Sequence, residues 1–269
     1  MHDEAHETLA HYERTVEVEA QRLDRHQLER DMTLRYFGAY LPPQGRILEI
    51  GAATGEYTAW LADRGYQVTA VDLSPSLIEH CRQRLENADT GRVACYVADA
   101  RDLSGVPGRG FDAVLMMGPL YHLTQRDNRL AALREAMDRL KPGGLFISEL
   151  ISRLGIMGEL LRRNPAWIEN QDQVRSILES GHDREEPEGE RFHGYYAQID
   201  EIAPLHKAVG LETITVAGVE PAISADDESY NRLEGTQRVR WLDLLWNLSR
   251  EPALIASSRH LLYVGRKPE

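Results

Sequence analysis

Short apolar runs alternate with amphipathic segments from residue 46 to residue 150. Ile47, Leu48 and Ile50 form the first run, which has the character of a buried strand. The same pattern predicts further strands and helices, with strands at 46–50, 67–71, 92–97, 111–116 and 144–150 and helices at 56–65, 75–88 and 126–141. This alternation is typical of an α/β fold, in which a parallel sheet carries helices on both faces.

The first 43 residues are highly charged, but their apolar side chains recur at helical spacing. We predict one or two helices here, ended by Pro42 and Pro43. Residues 1–43 therefore form a helical extension before a domain at 44–269.

The alternation stops after the strand at 144–150. Residues 152–198 are rich in Arg, Glu, Asn and His and behave as an insertion. Beyond the insertion we predict a helix at 201–209, a strand at 211–217, helical structure at 229–257 and a last strand at 260–266.

Composition and charge disfavour several classes of protein. A chain of 269 residues with 42% hydrophobic content can bury one sizeable core without disulfides or metals. No apolar run reaches about 18 residues, and no apolar stretch follows a basic N-terminus, so we expect no membrane span, no signal peptide and a cytoplasmic location. The net charge of −12 argues against a nucleic-acid partner, since that affinity comes mainly from clustered Lys and Arg.

A glycine turn after the first strand marks a candidate ligand site. Gly51 and Gly55 allow a tight bend and close approach of a ligand to the backbone, and the next helix begins with free N–H donors. The following strand ends at Asp72, about 20 residues after the turn, where an acidic side chain can bind both hydroxyls of a ribose. The G-x-x-x-G spacing, with Ala53 between the glycines, differs from the dinucleotide fingerprint.

Five motifs occur in one order at strand–helix spacing. They are E-x-G-x-x-T-G from Glu49, V-D-L-S-P from Val71, V-A-D-A from Val97, F-D-A-V-L from Phe111 and L-K-P-G-G-L-F from Leu140. This order resembles the class I S-adenosylmethionine-dependent methyltransferases over residues 46–150 and, more weakly, over 200–267. The stretch Met117–Leu123 is similar to a bacterial small-molecule branch of that superfamily.

The resemblance implies a Rossmann-like, seven-stranded, mostly parallel sheet with an antiparallel last strand, and S-adenosylmethionine as the cofactor. It also implies that residues 152–198 form a cap over the pocket, the alternative being a helical addition that does not touch the substrate. His182, His193, Tyr195 and Tyr196 of this insertion are secondary candidates for contact with the acceptor.

The resemblance also assigns roles to individual residues. Glu49 would order the glycine loop, and Gly51, Ala52 and Ala53 would face the methionine part of the cofactor. Asp72 would hold the ribose, Leu73 would pack on the adenine, and Asp99 and Ala100 would form hydrogen bonds with the adenine. Met117 and Gly118 would face the amino acid end of the cofactor. Gly55 completes the loop. Ala53 departs from the family pattern, in which a glycine is common at this position.

Methyl transfer from a sulfonium is an in-line displacement that depends mainly on positioning, and a base helps where the acceptor must lose a proton. His122 is the candidate base, because it follows the fourth strand next to the expected sulfonium, and Tyr121 is placed to orient the substrate. A structural role for His122 is the alternative.

Three other functions stay open at this point. They are a nucleic-acid or protein methyltransferase on the same fold, a nicotinamide-dependent oxidoreductase, and a non-catalytic protein that binds S-adenosylmethionine. The absence of an Asn/Asp-Pro-Pro-Tyr signature argues against methylation of exocyclic base amines. A small-molecule acceptor is favoured, no metal is expected, and a homodimer is left open.

Overall fold

The computed structural model describes residues 4–85, 92–183, 194–223 and 226–269. Its centre is one sheet in which seven strands follow the order β3-β2-β1-β4-β5-β8-β7. The strands are β1 (Arg46–Ile50), β2 (Gln67–Asp72), β3 (Val93–Val97), β4 (Phe111–Met117), β5 (Leu140–Ser152), β6 (Tyr196–Ala197), β7 (Glu212–Gly218) and β8 (His260–Arg266).

The first five strands are parallel, and β8 is antiparallel to both of its neighbours, β5 and β7. The seven-stranded, mostly parallel sheet with an antiparallel last strand is therefore confirmed. An eighth strand was not predicted: the two-residue β6 pairs with the end of β5, where Ile151 lies opposite Tyr196.

The helices flank the sheet on both faces, as predicted. They are α1 (Glu4–Ala20), α2 (Arg22–Arg25), α3 (Gln27–Tyr40), α4 (Glu56–Asp63), α5 (Pro75–Leu85), α6 (Pro119–His122), α7 (Arg126–Arg139), α8 (Met157–Arg163), α9 (Gln171–Ser180), α10 (Ile199–Lys207), α11 (Asp227–Asn231), α12 (Gly235–Leu248) and α13 (Pro252–Ile255), with a 3₁₀ turn at Pro165–Glu169. In the described ranges, no helix is long and apolar enough to cross a membrane.

Two apolar layers cover the two faces of the sheet. Ile47 of β1 belongs to one layer, together with Phe37 of α3, and Leu48 belongs to the other, together with Leu133 of α7. Neighbouring residues divide in this way because successive strand side chains point to opposite faces. A parallel strand buried on both faces therefore reads as the continuous apolar run seen in the sequence.

Several element boundaries differ from the prediction. The N-terminal extension contains three helices, and the helical region expected at 229–257 is divided into α11, α12 and α13. Strand β5 starts at Leu140 instead of residue 144, because Leu140 already pairs with Phe111 before a register shift. Residues 86–88 of the predicted helix 75–88 lie outside the described residues.

The predicted loop-ordering residue Glu49 lies at the heart of the sheet and is fully buried. Its Oε2 accepts a hydrogen bond of 2.6 Å from Oγ1 of Thr58, so the side chain ties β1 to α4. Burial raises the pKa of Glu49 to about 8, against the lowering effect of the Thr58 hydroxyl. At neutral pH Glu49 is therefore a protonated carboxylic acid.

Gly55 starts α4 with a left-handed backbone, at φ 80°. A Cβ at this position would lie 2.6 Å from Sγ and 3.2 Å from Cα of Cys81, so a side chain would force α5 to move. Gly65, which follows α4, has a similar φ of 85° but nothing within 4 Å of its Cβ position.

The first prediction separates backbone strain from close packing at the glycine loop. We expect Gly65→Ala to lose about 1 kcal/mol of unfolding free energy, because alanine resists a left-handed backbone. Gly55→Ala should lose a further 1–3 kcal/mol or so, because it also overpacks against Cys81. Urea unfolding of both variants measures the difference, and equal losses would contradict the packing of α5 against the loop.

The second prediction concerns the stability cost of Glu49. The native pKa of Glu49 is about 8 and its ordinary value is 4.5, so the unfolded chain releases this proton at lower pH than the native state does. Native stability therefore falls by up to about 1.4 kcal/mol per pH unit between those values, relative to a variant that cannot ionise. The free energy of unfolding of Glu49→Gln, measured with urea, should therefore increase relative to that of the wild type as the pH rises from about 5 to 8.

Exposed Glu79 supplies the control, since Glu79→Gln removes a carboxyl that solvent already hydrates. Parallel stability curves for the wild type and Glu49→Gln would show that Glu49 is ionised in the native protein.

Candidate active site

The carboxyl ends of β1, β2 and β4 open into one cleft of about 1090 Å³, counted with its open mouth. The chain runs outward from β1 through β2 to β3 and then returns to β4 on the other side of β1, so strand order reverses at this point. Ligands of open α/β sheets bind where the order reverses. Most of the predicted site residues line the cleft, namely Gly51, Ala52, Ala53, Asp72, Leu73, Asp99, Ala100, Met117, Gly118, Tyr121 and His122. Glu49 and Gly55 are not among its lining residues.

The glycine loop folds over the end of β2. The backbone N–H groups of Gly51 and Ala52 donate to the carbonyl oxygen of Val71 at 2.8 and 3.0 Å. Gly51 has a φ of 82°, and a Cβ there would lie 2.6 Å from Cδ of Pro119. Only glycine fits between the loop and the start of α6, and its backbone is left open to the cleft.

Ala53, the departure from the family pattern, adopts the left-handed backbone that glycine usually takes, at φ 47°. This conformation costs an alanine on the order of 1 kcal/mol. The N–H of Ala53 donates to Oδ2 of Asp72 at 2.9 Å, so this strained residue orients the side chain that is predicted to bind the ribose.

Asp72 receives backbone hydrogen bonds on both carboxyl oxygens. Oδ2 accepts from Ala53, and Oδ1 accepts from the N–H of Ser74 at 3.0 Å. Burial raises the pKa of Asp72 to about 6, while these N–H donors act in the opposite direction. At neutral pH the carboxylate is therefore charged, held in a fixed orientation, and present at the wall of the cleft.

Asp99 lies at the cleft but is already engaged by its neighbour. The side chain of Arg101 contacts Oδ2 of Asp99 at 2.6 Å, and the backbone N–H of Arg101 donates to Oδ1 at 2.8 Å. Nε of Arg101 also donates to both carboxyl oxygens at 3.0 Å, so Asp99 already accepts about as many hydrogen bonds as a carboxylate can, and an adenine donor would have to replace one of them. Next to it, the N–H of Ala98 donates to the carbonyl oxygen of Asp72 at 2.9 Å, which joins this segment to the ribose position.

Tyr121 and His122 lie on the single turn of α6, after the β4 residues at the cleft. Nε2 of His122 is 2.8 Å from the hydroxyl of Tyr12 on α1, and the two rings meet edge to face. Burial lowers the pKa of His122 to about 3, with further lowering by His11 and Arg22. The imidazole is therefore neutral throughout the physiological pH range.

Helix α1 forms a wall of the cleft that the sequence analysis did not predict. Thr8 and Tyr12 of α1 line the cleft, as does Arg22 at the start of α2. The carboxylate of Glu13 accepts hydrogen bonds from Ser74 and Ser76 at the start of α5.

At the other end of α1, the carboxylate of Glu4 accepts hydrogen bonds from Thr124, Gln125 and Asn128 at the start of α7. The helix is thus fastened on both sides of the cleft. The only sequence signal for this arrangement was the helical spacing of apolar residues in a charged segment, which does not indicate what the helix covers.

The described residues of the predicted cap, 152–183 and 194–198, do not line the cleft. His182, Tyr195 and Tyr196 are therefore not at the cleft wall, although the N–H of Tyr195 donates to the carbonyl oxygen of Tyr121 at 2.8 Å. His193 lies outside the described residues. Among the described residues, α1 covers the cleft, and the insertion contacts α6 through the hydrogen bond between Tyr195 and Tyr121.

Comparison with known proteins gives the same site a chemical context. Residues 47–144 match the family described as methyltransferase domain. The chain is 38% identical over 193 residues to a ubiquinone biosynthesis O-methyltransferase of Xanthomonas axonopodis, covering 69% of this chain and 71% of that protein. It is 28% identical over 127 residues to the protein YqeM of Bacillus subtilis, covering 47% of this chain and half of YqeM.

Among solved structures, the N-methyltransferase NodS of Bradyrhizobium japonicum, in complex with S-adenosylhomocysteine, superimposes with a TM-score of 0.58. That match has 17% sequence identity and covers 99% of this chain and all of NodS, so it shows a shared fold. From its fold, its family match and its Xanthomonas relative, the chain belongs to the class I S-adenosylmethionine-dependent methyltransferases, with S-adenosylmethionine as the cofactor.

Proposed function

We propose that this methyltransferase transfers a methyl group to an oxygen or nitrogen atom of a small-molecule acceptor. The observation that carries the proposal is the cover formed by α1, which is fastened at Glu4 and Glu13 on opposite sides of the cleft. A covered cleft suits a small acceptor better than a polymer, which needs an open groove. The Xanthomonas relative is named a ubiquinone biosynthesis O-methyltransferase, and this supports a small-molecule acceptor here.

The charge of the cleft argues against a nucleic-acid acceptor. Glu4, Glu19, Asp24 and Glu56 line the cleft, whereas Arg22 is the one Lys or Arg among its described lining residues. Arg22 is itself paired with Glu19 and Glu29. Phosphate groups would meet excess negative charge here, since proteins hold them with unpaired Lys and Arg.

The residues present fit the cofactor. We assign the ribose to Asp72, whose carboxylate is charged and oriented by two N–H groups. The bare backbone at Gly51 fits close approach by the methionine part, and Leu73 and Ala100 provide surface for the adenine. Arg22, which the sequence analysis missed, lines the same cleft as Met117 and Gly118 but is already paired with Glu19 and Glu29.

The cofactor brings a methyl group that its sulfonium has already activated. The residues of this chain therefore have to align the acceptor atom with that methyl and to exclude water. A lone pair of the acceptor forms the new bond as the carbon–sulfur bond breaks, and a hydroxyl or amine then releases its proton. Tyr121 and His122 are assigned to orient the acceptor at this point.

His122 is a weak base in this structure, because its pKa is about 3 and Tyr12 occupies Nε2. We therefore assign it a positioning contact with the acceptor first, and proton acceptance only where acceptor binding replaces the Tyr12 hydroxyl. Location in the cytoplasm and a homodimer stay predictions.

The third prediction tests the cofactor site. Asp72→Ala should weaken S-adenosylhomocysteine binding at least tenfold, about 1.4 kcal/mol, because it removes the acceptor for the ribose hydroxyls. Calorimetric titration with S-adenosylmethionine, S-adenosylhomocysteine and NAD checks this, and we expect no NAD binding. Wild-type affinity should also fall as the pH drops through about 6, where Asp72 becomes protonated, and this fall should be absent in Asp72→Ala.

Asp102→Ala is the matched control, since Asp102 is a solvent-exposed aspartate that does not line the cleft. Unchanged affinity in Asp72→Ala would remove Asp72 from the ribose position.

The fourth prediction concerns His122. An acceptor is first found by screening phenols and amines with methyl-labelled cofactor. His122→Ala should then lower kcat at least tenfold while the Kd for S-adenosylhomocysteine changes less than about twofold, because His122 meets the acceptor and not the cofactor. Tyr12→Phe serves as the comparison, since it removes only the hydroxyl bound to Nε2.

The pH profile gives a second readout for the same residue. Because the pKa of His122 is about 3, wild-type kcat should show no loss from its protonation between about pH 5.5 and 8. An unchanged kcat in His122→Ala would make the residue structural.

A further inference from the structure

A buried group of side chains behind the cleft combines metal-ligand chemistry with carboxylate oxygens that lack hydrogen bonds. Glu29 of α3, Glu149 of β5 and His260 of β8 are 0%, 1% and 7% exposed. One oxygen or ring nitrogen from each lies within 4.8 Å of the others. None of the three lines the cofactor cleft, so they form a separate location.

Two carboxylate oxygens in this group lack partners. Oε1 of Glu149 and Oε2 of Glu29 are buried, and no hydrogen-bond partner lies near either atom in the described part of the chain. For Oε2 of Glu29, the nearest cationic atoms are Nδ1 of His260 at 3.5 Å and Nη2 of Arg259 at 3.7 Å, both too long for good hydrogen bonds. Leaving buried carboxylate oxygens without a partner is costly.

The surrounding ion pairs do not supply the missing charge. Arg22 is paired with Glu19 and Glu29, and Arg259 contacts carboxylates on α8, on α11 and on the segment after β7. Together with Glu149, the described network has six carboxylates and four guanidiniums, namely Glu19, Glu29, Glu149, Glu159, Glu220 and Asp227 against Arg22, Arg162, Arg163 and Arg259. The four guanidiniums alone therefore leave two negative charges, and the only other positive charges in the described network would be those of His26 and His260, which are paired with the same carboxylates.

Protonated histidines would supply the charge but not the contacts. Nδ1 of His260 is 2.6 Å from Oε1 of Glu220, so a proton at that nitrogen is directed to Glu220. In the arrangement described, neither Oε1 of Glu149 nor Oε2 of Glu29 has a hydrogen-bond donor. A single divalent cation supplies both the two charges and the contacts.

We propose that Glu29, Glu149 and His260 form a binding site for a divalent transition-metal cation, of which Zn²⁺ and Mn²⁺ are the probes. Ligands of Zn²⁺ lie at about 2.0–2.2 Å from the ion and hence at most about 4.4 Å from each other, so side-chain shifts of a few tenths of an ångström close the site. Two carboxylates and an imidazole suit these cations.

Glu220 has the role of orienting the imidazole. Histidines that bind metals usually donate their other ring N–H to a carboxylate, and the contact of Nδ1 with Glu220 matches that arrangement. Nε2 is then the ring nitrogen left for the ion, although Nδ1 is the nitrogen nearest to Glu29, at 3.5 Å from Oε2, so the imidazole has to turn for Nε2 to bind.

The ion would join elements that are far apart in the sequence. Glu29 belongs to the N-terminal extension, whereas Glu149 and His260 lie near the carboxyl end of β5 and the start of the adjacent β8. Glu149 is in register with Met117, which lines the cleft. The site therefore has a structural role, since it fastens α3 to the sheet directly behind the cofactor.

The fifth prediction tests this site through metal binding alone. The full chain is stripped with EDTA and titrated with Zn²⁺, and separately with Mn²⁺, in a calorimeter. We expect one equivalent per chain and a higher Tm when the metal is bound, because the ion binds only the folded arrangement of α3, β5 and β8. Glu149→Gln keeps the shape of the side chain and should weaken the affinity at least tenfold.

His80→Gln is the matched control, because it removes a partly exposed imidazole that lies 3.6 Å from a carboxylate oxygen of Glu17. Its metal affinity should equal that of the wild type. Zinc X-ray absorption on the wild-type protein gives a readout that needs no variant, and we expect nitrogen and oxygen ligands without sulfur.

Three results would overturn the proposal. They are the absence of stoichiometric binding, an affinity unchanged in Glu149→Gln, and a sulfur ligand, which would place the metal at Cys81 or Cys95. The absence of binding would mean that protons neutralise the network. None of these results bears on methyl transfer, so the proposed function is tested independently.

Discussion

The hydrogen bond from the N–H of Ala53 to the carboxylate of Asp72 is the contact on which the cofactor cleft depends. It joins the β1–α4 connection to the β2–α5 connection, two segments that are adjacent only because β1 and β2 are parallel neighbours. The second carboxylate oxygen is held by Ser74. Because both bonds come from the backbone, Asp72 is oriented before any ligand arrives, and the strain of a left-handed alanine is part of that arrangement.

The helices of the N-terminal segment are held in place by two different kinds of interaction. Helix α3 is anchored by apolar burial, with Met32, Tyr36 and Phe37 in the core. Helix α1 has no buried residue and is held instead by the carboxylates of Glu4 and Glu13, each placed at the start of another helix. Negative charge is favourable at a helix N-terminus, so these contacts stabilise α1 across the cleft without a hydrophobic interface.

The parts of the site that could be predicted from the sequence are those fixed by local pattern. Asp72 and Met117 end a strand, Gly51 and Asp99 come just after one, and the carboxyl ends of parallel strands meet at one edge of the sheet. Predicting the strands was therefore enough to bring these residues together. No pairing between distant segments had to be known.

The cover over the cleft could not be predicted in this way. Tyr12 meets His122 across 110 positions, and Glu13 meets Ser74 across 61. A charged helix with scattered apolar residues has the same pattern whether it faces solvent or crosses a binding site. The insertion at 152–198 was the more conspicuous departure from the alternation, yet its described residues contact the back of α6 and not the cleft.

Glu49 and Glu149 show why the sequence also leaves chemistry undecided. Each is a single glutamate within an apolar strand, and each is buried to within 1%. Thr58 of α4 donates to Oε2 of Glu49, whereas Oε1 of Glu49, like Oε1 of Glu149, has no hydrogen-bond partner among the described residues. Glu149 faces Glu29 and His260, which add charge without satisfying its Oε1. The same pattern thus places one glutamate beside a hydroxyl and the other beside a carboxylate and an imidazole, and only the neighbouring elements decide which.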